Sequence, residues 1–110
     1  MKQAPAKYLN YKKYGTGSKY LLAFHGFGQT ESVFQMFETS LGLDYTILSF
    51  DLFFHGKSRW PVDELPVPTE SLHDLLLDVL KAEQIDTFSL MGYSLGGKLA
   101  LTTAMLFPHR

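Results

Sequence analysis

Residues 87–101, Thr87-Phe-Ser-Leu-Met-Gly-Tyr-Ser-Leu-Gly-Gly-Lys-Leu-Ala-Leu101, decide how the rest of the chain reads. Thr87–Met91 is a short apolar run of the length and character that suits a strand covered on both faces. A helix is expected from about Ser94 to Phe107, because Pro108 disfavours the α conformation at the residue before it. Between strand and helix lies Gly92-Tyr93-Ser94-Leu95-Gly96, a GxSxG. A serine held on so sharp a strand-to-helix turn has strained backbone, so the positions two before and two after it leave no room for large side chains. Gly92 and Gly96 meet that demand, and Gly97 is expected to let the helix lie close to the sheet. A GxSxG turns up by chance in roughly one chain in twenty-five of this length, so its placement carries more weight than its occurrence.

Two further runs have the same doubly apolar character: Tyr20–Phe24 and Tyr45–Phe50. Helical signals fill the gaps. Residues 30–40 suit a helix with Thr30 as N-cap and Val33, Phe34 and Phe37 on one side. Residues 69–82 are an amphipathic helix, preceded by prolines, with Leu72, Leu75, Leu76 and Val79 at i, i+3, i+4 and i+7. Alternating strand and helix imply right-handed crossovers into a mostly parallel sheet flanked by helices on both faces, an α/β fold. Residues 7–14 are expected to add an antiparallel edge strand through the Gly15/Gly17 turn. The loop-rich zones Gly15–Ser18, Asp51–Trp60 and Pro61–Pro68 read as connections within one unit spanning residues 1–110.

Composition agrees with a chain that buries a core: of 110 residues, 45% are hydrophobic and 19% charged, with a net charge of −1. Every charged residue before Glu31 is a lysine, yet residues 31–110 hold eleven acids against five bases, which argues against a nucleic-acid-binding face. The absence of cysteine excludes disulfides, thiolate chemistry and Cys-based metal sites. No segment has the apolar core of a signal peptide or the length of a membrane span, so a soluble cytoplasmic protein without membrane contact is expected. His73 and His109 have no metal-ligand partner at useful spacing, and neither metal nor cofactor is expected.

A second glycine-rich motif, His25-Gly26-Phe27-Gly28, follows the first buried strand. Attack by a serine on a carbonyl builds negative charge on oxygen and needs donors for it. The Leu95 N–H, directly after Ser94, is one candidate; Gly26 and Gly28 would turn the other loop inward, making the Phe27 N–H the second. With Asp51-Leu-Phe-Phe-His-Gly-Lys-Ser58 between them, HGFG and Gly92–Leu101 occur in the order and approximate spacing of the α/β-hydrolase superfamily, whose N-terminal half this chain resembles over essentially its whole length. The middle block departs from the usual family form in carrying Phe53 and Phe54 where a Pro-Gly pair normally precedes His55-Gly56.

The resemblance implies a serine hydrolase acting on an ester or related carbonyl, with Ser94 as nucleophile and no cofactor. It implies a loop-orienting part for His25, and Asp51 reads as a loop-holding residue. The family's acid and histidine follow the nucleophile. Residues 95–110 contain no Asp or Glu and a single near-terminal His109, so the triad is expected to be incomplete here and the isolated chain inactive. The Gly92–Leu101 block is also similar to the menaquinone-pathway synthase of this fold, a lyase using the same serine; a non-catalytic binding or assembly module is the remaining alternative. Thr87–Met91 is expected to form an unpaired sheet edge, inviting self-association or a complementary fragment. The phenylalanines at 24, 27, 53 and 54 lean toward an apolar or aromatic substrate.

Overall fold

The computed structural model describes residues 7–26, 29–52, 58, 69–93 and 95–110. Four strands, β1 (Tyr11–Tyr14), β2 (Lys19–Phe24), β3 (Tyr45–Phe50) and β4 (Ser89–Gly92), form one sheet in the order β1-β3-β2-β4. β2, β3 and β4 run parallel, with β2 central between β3 and β4, and β1 adds antiparallel to β3. β4 is the edge on the far side.

Side chains alternate across the central strand and are covered on both faces, as doubly apolar strands require. On one face Leu22, Phe24, Leu48 and Phe50 pack with Leu72, Leu76, Val79 and Leu80 of α2 (Thr69–Ala82) and with Ala100 of α3 (Leu95–Leu106). On the other, Leu21, Ala23 and Ile47 pack against Phe34, with Val33, Phe37 and Leu41 alongside. The expected α/β architecture is therefore present, and α2 occupies the span its leucine spacing predicts.

Three details differ from expectation. The segment after β2 is a 3₁₀ helix over Glu31–Phe37 and becomes α-helical only over Glu38–Leu41, which forms α1. Three residues per turn put Phe34 and Phe37 on one side, and their rings lie 6.2 Å apart. Thr30 stands at the N-cap but makes no side-chain cap bond; its Oγ1 lies 3.0 Å from Ser32 Oγ instead. Second, the antiparallel edge strand is shorter than the span 7–14 and lies against β3 rather than β2. Its connection does not fold back as a hairpin: the Thr16 N–H donates to Gly42 O at 2.7 Å and the Gly17 N–H to Tyr45 O at 3.2 Å, which carries β1 across β3. Gly15, at φ +85°, permits this crossing; a Cβ there would lie 2.6 Å from Gly42 Cα.

Third, β4 starts at Ser89, not Thr87, because the Phe88 N–H turns to Arg110 O at 3.1 Å. α2 closes in a Schellman arrangement, with Ile85 N–H bonded to Leu80 O and Gln84 N–H to Lys81 O. Gln84 supplies the left-handed residue at φ 56°. Next to this turn Glu83 straps α2 to β1, accepting from Tyr11 Oη at 2.6 Å and Lys13 Nζ at 2.8 Å. Burial, with Glu83 adding to it, pushes the Tyr11 phenol up to about 12. The same contact raises the Lys13 ammonium and, through the Lys13 hydrogen bond first, holds the Glu83 carboxyl below its ordinary range.

The basic N-terminal stretch is a solvated strand face. Lys12 and Lys19 are exposed and lie over the Tyr14 and Tyr45 rings at 5.5 and 5.8 Å. Among the described residues no helix is long and apolar enough to cross a membrane.

Candidate active site

The parallel register sets Phe24 beside Gly92, so the chain leaves β2 and β4 at the same, carboxyl end of the sheet. Ligand sites in open α/β sheets form at that end. Beyond Gly92 the Tyr93 N–H donates to Phe24 O at 3.1 Å, and the Gly96 N–H donates back to Tyr93 O at 2.9 Å. α3 begins at Leu95, so only positions 93 and 94 separate strand from helix.

Glycine packing makes this turn possible. A Cβ on Gly92 would lie 2.5 Å from Gly97 Cα and 2.6 Å from Gly96 C. A Cβ on Gly96 would run into the Phe24 and His25 carbonyl oxygens and lie 2.5 Å from Phe24 C. The first turn of α3 therefore rests directly on the end of β2. Gly97, contrary to expectation, is not a position that only glycine fits: its Cα lies against Gly92, but a Cβ there would meet nothing closer than Gly92 O at 3.8 Å. Leu95, as the first helical residue, has an N–H with no carbonyl one turn back to receive it.

Gly26 sits against the elbow, where an added Cβ would meet Tyr93 Cδ1 at 3.0 Å and Gln29 Oε1 at 3.2 Å. Gln29 closes the loop: its Oε1 accepts the Gly26 N–H at 2.8 Å, and its own N–H donates to Gly26 O at 3.2 Å. Nothing in the sequence reading singled out Gln29; a lone amide side chain beyond HGFG was its only signal. His25 is fully buried and links two loops, with Nδ1 2.7 Å from Gly26 O and Nε2 accepting the Leu52 N–H at 2.9 Å. Since Nε2 accepts, Nδ1 carries the proton and the ring is neutral. Asp51 accepts from Asn10 Nδ2 at 2.8 Å, while its carbonyl takes the Ser58 hydroxyl and Ser58 Oγ takes the Asn10 N–H. Both side chains thus tie loops to the sheet.

Of the sequence-derived site residues, Gly26, Gly92, Leu95 and Gly96 come together here; Ser94, Phe27 and Gly28 lie outside the described residues, as do Phe53, Phe54, His55 and Gly56. Phe24 is a correction. It is fully buried and stacked on Phe50 at 5.2 Å, so it belongs to the core and faces no substrate. His73 stacks on Phe107 at 4.8 Å, and no cluster suited to holding a metal ion occurs among the described residues.

Besides a depression of about 310 Å³ at the end of α2, two among the described residues lie at opposite ends of β4. The larger, about 550 Å³, is lined by Ser18, Lys19, Asp86 and Ser89 at the amino ends of β2 and β4, away from the elbow. The smaller, about 380 Å³, opens beside Gly92 and Tyr93 against the 3₁₀ helix. Position favours the smaller one.

The chain belongs to the α/β hydrolase fold family, whose sequence model matches residues 19–110. It is 37% identical over 79 residues to "Probable lysophospholipase BODYGUARD 1" of Arabidopsis thaliana, covering 72% of this chain and 17% of that protein. It is 26% identical over 93 residues to "Putative 2-succinyl-6-hydroxy-2,4-cyclohexadiene-1-carboxylate synthase" of Bacillus subtilis, covering 84% and 34% respectively. An esterase from a marine microorganism superposes with a TM-score of 0.77 at 22% identity, over 93% of this chain and 38% of the other, which shows the shared fold. The matched region thus spans 17% and 34% of the length of these two curated relatives.

Proposed function

We propose that this chain is the nucleophile-bearing part, residues 1–110, of an α/β-fold serine hydrolase acting on an ester or related carbonyl. The observation that carries the reading is the glycine-packed turn between β4 and α3 at the carboxyl end of the sheet, where Tyr93 lies beside Gly26. In this scheme the Ser94 hydroxyl adds to the substrate carbonyl as a histidine takes its proton. The oxyanion is held by the Leu95 and Phe27 amides. The oxyanion collapses to an acyl-serine, the protonated histidine returns the proton to the departing alkoxide, and water then releases the acid by the same steps in reverse order. The histidine and its acid come from sequence beyond residue 110 in the whole enzyme, so the 110-residue chain alone is inactive, and the β4 edge is where that remainder, or a second copy, pairs.

Fluorophosphonate labelling of the whole enzyme tests this. Ser94 is modified in the wild type and labelling vanishes in Ser94→Ala; an unlabelled wild type overturns the reading. The similarity to the Bacillus subtilis protein favours one second reading, a lyase using the same serine without acyl transfer. On that reading, p-nitrophenyl esters are left intact by the whole enzyme to which this chain belongs.

A further inference from the structure

The 380 Å³ groove beside the elbow has walls of one chemical kind. Val33, Phe34, Met36 and Phe37 come from the 3₁₀ helix, and Met91 and Tyr93 from the end of β4; Gln29 is the polar side chain at one end, its Oε1 engaged by Gly26 N–H. No charged residue is among the described residues that line it. Its volume lies within the range of ligand pockets, roughly 300–1,000 Å³. It does not close over: Met36 is 69% and Tyr93 64% exposed, while Met91, Val33 and Phe37 are partly buried. Tyr93, on the wall of the groove, is the residue immediately before the candidate nucleophile in the sequence.

We infer that this groove binds the acyl chain of the substrate, making the preferred substrates esters of unbranched, uncharged acyl groups longer than acetyl. The inference rests on the reading of Ser94 as nucleophile and adds the substrate class. A charged or strongly polar acyl group would be desolvated there without a partner, which is costly, whereas each methylene gains by leaving water. The thioethers of Met36 and Met91 suit the task, since unbranched side chains adapt to chains of differing length.

The experiment uses the whole enzyme labelled with methyl-¹³C methionine. Addition of octanoate, kept below its micelle concentration, shifts the Met36 and Met91 methyl resonances, while Met105, 81% exposed on α3, stays in place; acetate shifts none of them. With p-nitrophenyl esters, kcat/KM rises about fourfold for each methylene added from acetate until the groove is full. Val33→Trp, which fills the groove, lowers the octanoate-to-acetate ratio at least tenfold. Met36 and Met91 resonances unmoved by octanoate, or moved only by raising the protein concentration, overturn the acyl groove; the latter marks a second copy as the occupant. A flat chain-length profile overturns it too, and leaves the hydrolase reading intact because esters are still cleaved. Resonances that shift while no ester is cleaved show an apolar-chain site but overturn the hydrolase reading and, with it, the substrate class.

Discussion

Substitution of the two adjacent glycines Gly96 and Gly97 by alanine separates the elbow geometry from helix propensity. A Cβ at position 96 lies 2.5 Å from Phe24 C and closer still to the Phe24 and His25 carbonyl oxygens, all backbone atoms of the central strand's end. Ordinary carbon contacts need about 3.5–4.0 Å, so the start of α3 must move off β2 by roughly 1 Å. Overpacking of this kind costs about 1–3 kcal/mol. For a domain of this size each kcal/mol is worth roughly 4–8 °C in Tm. At Gly97 the nearest atom to a new Cβ is Gly92 O at 3.8 Å, so alanine there keeps the packing and gains helix propensity, about 0.5 kcal/mol this close to the helix start. Thermal melts followed by circular dichroism should therefore move in opposite directions for the two variants. The displacement in Gly96→Ala also carries the Leu95 amide with it, and a 1 Å misplacement at a reacting centre costs on the order of a hundredfold in rate. Fluorophosphonate labelling should slow accordingly in Gly96→Ala and not in Gly97→Ala. Equal melting of Gly96→Ala and wild type, or a Gly97→Ala that is the less stable of the two, would refute this account of the turn.

The Glu83 strap gives a pH signature at each end of the scale. Because the Glu83 carboxyl is held below its ordinary value, its contribution is present above the usual glutamate range and disappears as pH falls through the folded-state value. Glu83→Gln should cost about 1 kcal/mol at pH 7 and converge with wild type in melting experiments once the pH has fallen below the lowered Glu83 value. Tyr11, raised from 10.0 to about 12, contributes below pH 10 and loses that contribution as pH rises toward 12; the raised Lys13 acts in the same sense. Tyr11→Phe should flatten the alkaline decline. Gln84→Gly should stabilise by roughly 0.5–1 kcal/mol in urea unfolding, since it relieves a left-handed non-glycine residue while leaving the Ile85–Leu80 closure in place. A loss of stability there would mean that the Gln84 side chain does more than occupy the turn.

What the sequence makes legible is whatever depends on neighbours a few positions away. α2 is readable because burial of Leu72, Leu76 and Val79 follows from their spacing alone, and β3 because Tyr45–Phe50 is apolar on both faces. Its end is not readable in the same way. The left-handed turn falls on Gln84 rather than a glycine, held by the burial of Ile85 and Leu80, both in the core. β1 is visible as a strand, but its partner depends on residues 15–17 bonding to Gly42 and Tyr45. The first residues of the Thr87–Met91 run leave the ladder because Phe88 bonds the far end of the chain at Arg110.

The candidate site divides along the same line. That glycines must stand at 92 and 96 follows from the tightness of a strand-to-helix turn. That Gly96 alone meets β2 while position 97 has room for a side chain depends on where α3 crosses β2, a contact between residues some seventy positions apart, and local reasoning assigned a close approach to Gly97 as well. His25 and Asp51 were readable as loop-holding residues, yet their partners, the Leu52 amide and Asn10, exist only once β1, β2 and β3 are aligned side by side. The lone amide of Gln29 is too weak a local signal, because an amide side chain becomes a loop clasp only when the chain has already turned at Gly26. The turn residues of this site are thus written into short motifs, while the groups that hold those turns in place are set by sheet register. Gln29→Ala should therefore slow fluorophosphonate labelling of the whole enzyme even though it lies outside both motifs, because it frees the Gly26 turn that packs on Tyr93.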